Sequence, residues 1–439
     1  MHHRRDSKTS PFRAALADFA GSAWRLVLAV LLLIPVMALS LYEPRAAPAP
    51  LAAPIVAPLP AVTGEVWNRR GRVVAEERYE PVGAGPESAI GQAWKATYTS
   101  VSGVDGGARE VTGLFSVPEG TPPVGGWPVV SLAHGTTGIG HNCGPAQQPD
   151  LQGYGPIIEA WLAAGYAVAA TDYEGLGPTG FHLYLEPRSA AFNTIDAVRA
   201  LRDLSPAVST RWVAVGYSQG GQAVWAANEL NSFYGDGLDL LGSVALAPAA
   251  NVTDTADKVW SGSLSAPQRN LFPTFIVGLA RFNPDLDEYS FLHGSTEAYR
   301  ERLSFCEPNE PNIPVPAILP VPWAEVADRM RGSRETKPES LQDIDDLRDA
   351  MRKVALPQRP LQSPMLVVIG LDDLLVFPRE VRVAVAQSCA MGGRIQLVEI
   401  PGADHIDMLW QAGPYISGWV EDRFSGLPAP SNCTEEPLG

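Results

Sequence analysis

Ser218 stands between two glycines in GYSQGG, residues 216–221, a match to G-x-S-x-G. A serine hydroxyl is a poor nucleophile until a base takes its proton, so the motif asks for partners elsewhere in the chain. The stretch before it, WVAVGY, is apolar and β-branched, and the stretch after it, QGGQAVWAANEL, is rich in helix formers. A tight turn at that junction lifts the hydroxyl above the sheet, and Gly216 and Gly220 let neighbouring backbone come close. The N–H of Gln219 then sits at a helix start, where negative charge is stabilised. Alone the motif is weak; its strand–turn–helix setting gives it weight against the competing reading, a packing elbow. His405, in EIPGADHIDML after the last apolar run, is the expected base. His134, His141 and His182 also lie on strand-end loops, where the competing role is hydrogen bonding within the loop. His293 is expected to be structural. The orienting acid should fall between Ser218 and His405 in the chain. VVIGLDDLLVFP offers Asp372 and Asp373; the spacing G-x-x-D-x-x-V from Gly370 to Val376 selects Asp373, with Asp372 the alternate. Asp404 is adjacent to His405, and a neighbour rarely folds back onto the next ring. AHGTTG, residues 133–138, can aim a second N–H at a tetrahedral oxyanion, from Thr136 or Thr137; otherwise it is a plain turn.

These residues need a scaffold that gathers strand ends. WPVVSLA (127–133), YAVAATDY (166–173) and WVAVGYS (212–218) read as buried strands, and GSVALAPAA (242–250), PMLVVIG (364–370) and RIQLVEIPG (394–402) as further strands of the same sheet. Helical patterns separate them at 155–165, 189–204, 219–231 and 381–392. That alternation predicts an α/β fold: a mostly parallel sheet with helices on both faces and reactive groups at its carboxyl edge. EVWNRRGRVVAEERY and AWKATYTSVSG…REVTGLFSVPEG ahead of it read as antiparallel strands. Residues 252–360 interrupt the alternation. SLQDIDDLRDAMRKV (340–354) is their clearest helix, and PVPAILPVPW (314–323) cannot be regular structure.

The chain of 439 residues fits one large domain with an insertion. Expected boundaries are 64–251 and 361–439 for the core, 252–360 for the insertion, 43–63 for an Ala/Pro-rich extended spacer, and 1–42 for an export segment. In the last, basic residues precede an uncharged apolar run at 26–42, close to the lower limit for a spanning helix. It reads either as a cleaved signal, with small residues in ALS (38–40), or as a signal-anchor that would attach the exported domain to a membrane. The formal net charge of −15 argues against nucleic acid as a partner. Four cysteines, Cys143, Cys306, Cys389 and Cys433, suggest two disulfides in an exported chain, and sequence alone permits three pairings. No C-x-x-C spacing supports a zinc site. Asn251 and Asn432 lie in N-x-T sequons.

AHGTTGIGHNCGP resembles the HGTTG…CAPS segment of the secretory lipase family, a branch of the α/β-hydrolases. GYAVAATDYEGLGPTGFHLYL is similar to its GY-V-DYEGLG…HPYL stretch, and DAVRA, GYSQGG and the late DH follow in the family's order over about residues 90–433. The chain departs from it with CGPA for CAPS, HLYL for HPYL, and Phe377 inserted before Pro378. The resemblance implies an α/β-hydrolase fold, a helical cap between Ser218 and Asp373, and disulfides Cys143–Cys306 and Cys389–Cys433. The resulting expectation is an exported, monomeric serine ester hydrolase, without metal or organic cofactor, acting on small-molecule or lipid esters. LFPTFIVGLARF (271–282) is apolar enough to line an acyl pocket or simply to pack on the core. Acyl transfer by the same triad and a non-catalytic hydrolase-fold surface module are the competing readings; nothing marks an amine-binding site for a peptidase.

Overall fold

A computed structural model describes residues 51–80, 88–294, 296–297, 306 and 336–433. Nine strands form one sheet: β1 Val73–Arg78, β2 Ile90–Val101, β3 Ala108–Pro118, β4 Trp127–Ala133, β5 Ala167–Thr171, β6 Val208–Tyr217, β7 Asp239–Leu246, β8 Met365–Gly370 and β9 Ile395–Ile400. Their order is β1-β2-β3-β5-β4-β6-β7-β8-β9. β1, β2, β3 and β5 pair antiparallel, and every pair from β5 to β9 is parallel. The central strands are Val/Ala/Leu runs because both faces are covered. On one face helices Pro187–Leu204, Gln219–Tyr234 and Pro378–Ala390 contribute Phe192, Trp225 and Val381 to the core. On the other, helices Gly155–Ala163 and Gly413–Phe424 contribute Trp161 and Trp419.

Strand register explains how distant residues meet. Ala133 pairs with Gly216, so the loops leaving β4 and β6 start side by side. Gly370 pairs with Ile400, so the loops leaving β8 and β9 do the same. The chain reverses direction across β4, which has β5 on one side and β6 on the other; that is the crevice where open α/β sheets bind ligands.

Several elements depart from the sequence reading. EVWNRRGRVVAEERY is not one strand. Gly64–Asn68 forms a short helical turn, and β1 begins only at Val73. The cause lies between them: Gly71 takes φ +68°, and Arg70 lays its guanidinium 3.5 Å from the Trp67 ring while donating to the Tyr234 carbonyl. β7 stops at Leu246, because Ala247 turns to φ +39° ahead of Pro248. The helix at Pro187–Leu204 is buried on nearly all sides, and its Asp196 accepts from Ser100, Tyr234 and Arg199. Residues 51–62 form no helix or strand, yet they lie against the domain. Ile55 N–H donates to the Arg352 carbonyl, Ala57 N–H to Gln358 Oε1, and Arg188 to the Pro58 carbonyl.

Between β7 and β8 the described chain carries helices Thr255–Ser261, Ala266–Ala280 and Leu341–Val354. The apolar run at 26–42 and PVPAILPVPW lie outside the described residues, among which no helix is long and apolar enough to cross a membrane. Both disulfides, Cys143–Cys306 and Cys389–Cys433, are formed. Asn251 is 1% exposed, so the first sequon is closed to modification in the folded chain.

Candidate active site

The turn between β6 and helix Gln219–Tyr234 holds Ser218 at φ 57°, ψ −114°, a conformation that costs a non-glycine residue free energy. The turn is clamped from both sides. Ser218 N–H donates to the Leu246 carbonyl, and the Ser218 carbonyl accepts from Ala249. A Cβ on Gly216 would come within 2.1 Å of the Gly220 carbonyl oxygen, and one on Gly220 within 2.0 Å of the Ala133 carbonyl oxygen. A side chain at Gly216 would force its own turn open, and one at Gly220 would push the turn away from the end of β4.

His405 Nε2 lies 3.0 Å from Ser218 Oγ, and His405 Nδ1 lies 2.5 Å from Asp373 Oδ2. All three side chains are buried, with 6%, 5% and 2% exposure for Ser218, His405 and Asp373. The second carboxylate oxygen of Asp373 accepts from the N–H groups of Leu375 and Val376, which fixes the group's orientation. Asp372 is exposed and joins the β9 loop through its backbone N–H on the Ala403 carbonyl. Asp404 caps the following turn, accepting from the N–H groups of Ile406 and Asp407.

The other described histidines are committed elsewhere. His134 sets its ring nitrogens against the Gly135 and Asp172 carbonyls, at 2.6 and 3.2 Å, and burial lowers its pKa. His182 donates from Nδ1 to the Glu174 carbonyl, and its Nε2 accepts from the Gln219 side-chain amide. Burial pushes its pKa down to about 4, so the ring is neutral. The His141 carbonyl accepts from Cys306 N–H. His293 contacts the Lys337 carbonyl at 3.0 Å.

Gln219 is the first residue of its helix, so its N–H is outside the intrahelical ladder. The AHGTTG loop lies alongside, because it leaves β4 next to β6. Phenols the sequence did not single out hold this loop. Tyr173 donates to the His134 carbonyl, the Tyr154 oxygen accepts from Gly135 N–H, and the Tyr184 hydroxyl lies 2.7 Å from Thr136 Oγ1. The Cys143–Cys306 bridge closes against the same loop: a Cβ on Gly138 would sit 2.6 Å from Cys143 Sγ and 3.2 Å from Cys306 Sγ. Tyr217, beside the serine, donates to the His405 carbonyl and packs its ring 5.0 Å from the imidazole. Its adjacency to Ser218 was the one available signal; the other phenols are recognisable only in three dimensions. Among the described residues no group of three His, Cys, Asp or Glu side chains is arranged to hold a metal ion.

Comparison with known proteins agrees with this architecture. The chain is 27% identical over 288 residues to lipase 10 of Candida albicans, and 26% identical over 282 residues to "Probable inactive lipase MT1628" of Mycobacterium tuberculosis. These alignments cover 63% and 62% of this chain but 59% and 58% of the relatives, so the match spans about three fifths of their length. Among solved structures, Candida antarctica lipase A in its closed state superposes with a TM-score of 0.61 at 16% identity, covering 88% of this chain and 91% of that one. A rice-cell-wall-degrading esterase from Xanthomonas oryzae superposes at 0.62 and 21% identity, covering 81% and 98%. The fold is therefore that of the α/β-hydrolases. The secretory lipase family model matches residues 151–432, from the helix after β4 through the last disulfide's approach, and the chain belongs to that family.

Proposed function

We propose that the protein is an exported serine ester hydrolase. Ser218 attacks the ester carbonyl, and His405 takes its proton and returns it to the leaving alcohol. Asp373 holds the imidazole in the required tautomer and stabilises its charged form. The N–H groups of Gln219 and of Thr136 or Thr137 bind the oxyanion, and water releases the acid from the acyl-enzyme. The reading rests on one observation above all: the continuous contact from Ser218 Oγ through the His405 ring to the Asp373 carboxylate. A hydrophobic acyl group is the expectation that the family carries; Phe272, Phe275 and Ile276 of helix Ala266–Ala280 themselves pack into the core.

The "inactive" relative gives the non-catalytic reading a specific motive. Labelling by a fluorophosphonate, together with hydrolysis of a p-nitrophenyl ester series, separates the two. Both signals are expected in the native chain and both should vanish in Ser218→Ala. Flat background activity across the series, or labelling that survives the substitution, would refute the proposal. Product analysis with and without added alcohol distinguishes hydrolysis from acyl transfer.

A further inference from the structure

We propose that Tyr184 is a positioning residue that ties the seating of helix Ala266–Ala280 to the oxyanion loop; the inference rests on the hydrolase reading above. The Tyr184 hydroxyl lies 2.7 Å from Thr136 Oγ1, in a buried contact between residues 48 apart. Its ring meets Phe275 of the helix edge-on, with centroids 6.3 Å apart. Gly278, inside the same helix, is pressed against it: a Cβ there would fall 2.3 Å from Tyr184 Cβ. Glycine weakens a helix interior, so its presence here is matched to the approach of the tyrosine. The ring is 2% exposed and flanked by His182, at 6.2 Å and near-perpendicular, leaving it little room to move independently of the helix.

The other two phenols on the loop belong to core elements. Tyr154 directly precedes helix Gly155–Ala163, and Tyr173 follows β5 by two residues. They hold His134 and Gly135 relative to the sheet. Tyr184 holds the next residue, Thr136, and also bears on the inserted helix. An oxyanion donor works only if its N–H points where charge develops, and displacements of about 1 Å can cost two orders of magnitude in rate. A shift of the helix therefore reaches the donor through one phenol and one threonine hydroxyl.

The test is a double-substitution cycle on the native enzyme, reading kcat and KM for p-nitrophenyl butyrate. Tyr184→Phe and Thr136→Val should each lower kcat about tenfold or more and leave KM within about twofold. Because both remove the same bond, the double variant should be no slower than the slower single variant by more than about twofold. Gly278→Ala, which displaces the ring, should also lower kcat. A Tyr184→Phe enzyme within about twofold of native kcat, or losses that multiply in the double variant, would overturn the inference. If thermal unfolding shows that Tyr184→Phe does not fold, Thr136→Val and Gly278→Ala carry the test, and unchanged kcat in either overturns it. Ser218→Ala is the separating control. Hydrolysis surviving that substitution refutes the hydrolase reading itself, whereas Ser218-dependent hydrolysis indifferent to Tyr184→Phe refutes the coupling alone.

Discussion

Asp373→Asn is expected to abolish nearly all turnover while leaving the fold intact. The carboxylate is held at both oxygens, by the N–H groups of Leu375 and Val376 on Oδ1 and by the His405 ring on Oδ2. An asparagine must keep its carbonyl oxygen facing the two N–H donors, so its amide nitrogen replaces Oδ2. That NH₂ donates to His405 Nδ1 and moves the ring proton to Nε2, which then faces Ser218 Oγ as a donor and cannot accept the serine proton. In a protease with a Ser-His-Asp triad the same tautomer error costs about 10⁴ in kcat, or about 5.4 kcal/mol of barrier at 1.36 kcal/mol per decade. Asp372→Asn touches an exposed side chain beside the site and should stay within about threefold of native. The assay is kcat for a p-nitrophenyl ester with the folded fraction checked by circular dichroism. A larger loss in Asp372→Asn than in Asp373→Asn, or an Asp373→Asn enzyme above about a tenth of native rate, would refute the argument.

Two further outcomes test how the scaffold is held. Cys389–Cys433 closes a sequence separation of 44 residues at the end of helix Pro378–Ala390, near the amino end of β9 and away from the carboxyl edge. Its replacement by two alanines should lower unfolding free energy by up to about 4 kcal/mol on the loop-closure scale, seen in denaturant titration, with kcat within about twofold. Glu229, buried against Gln358 and Arg359, has its pKa pushed up to about 8 from the ordinary 4.5 by burial. The folded chain then keeps a proton that the unfolded chain has released. The contribution is full below about pH 4.5 and is lost as pH rises through 8. Glu229→Gln should therefore gain Tm relative to the native chain between pH 5 and pH 8.5; a pH-independent difference measured by calorimetry would count against this account.

The central parallel strands were legible because a strand covered on both faces leaves an unbroken apolar run, as in β4 and β8; β9, IQLVEI at the sheet edge, is half-buried and carries a weaker pattern. Local pattern sufficed there. It failed at residues 64–72, GEVWNRRGR, which were read as part of a strand. A positive φ at Gly71 and the docking of Arg70 on Trp67 and Tyr234 decide the conformation instead. Composition marked residues 51–62 as a spacer, but their seat on Gln358 belongs to a residue 301 positions away and no local pattern could give it. The pairing of the cysteines came from family resemblance, since spacing leaves three alternatives. The grips of Tyr154, Tyr173 and Tyr184 on the loop after β4 could not be read, because a phenol's partner is set by tertiary approach and not by its neighbours in the chain.

That same segment has a consequence for biosynthesis. Ala57 can take up its bond only with Gln358, and Glu229 in turn props Gln358 and Arg359 by their N–H groups. Translation at about 5–20 residues per second puts roughly 15–60 s between the appearance of the two partners. For that interval the early stretch is a leash without a mooring, and the globule is sealed only when the ribosome has passed the return from the insertion.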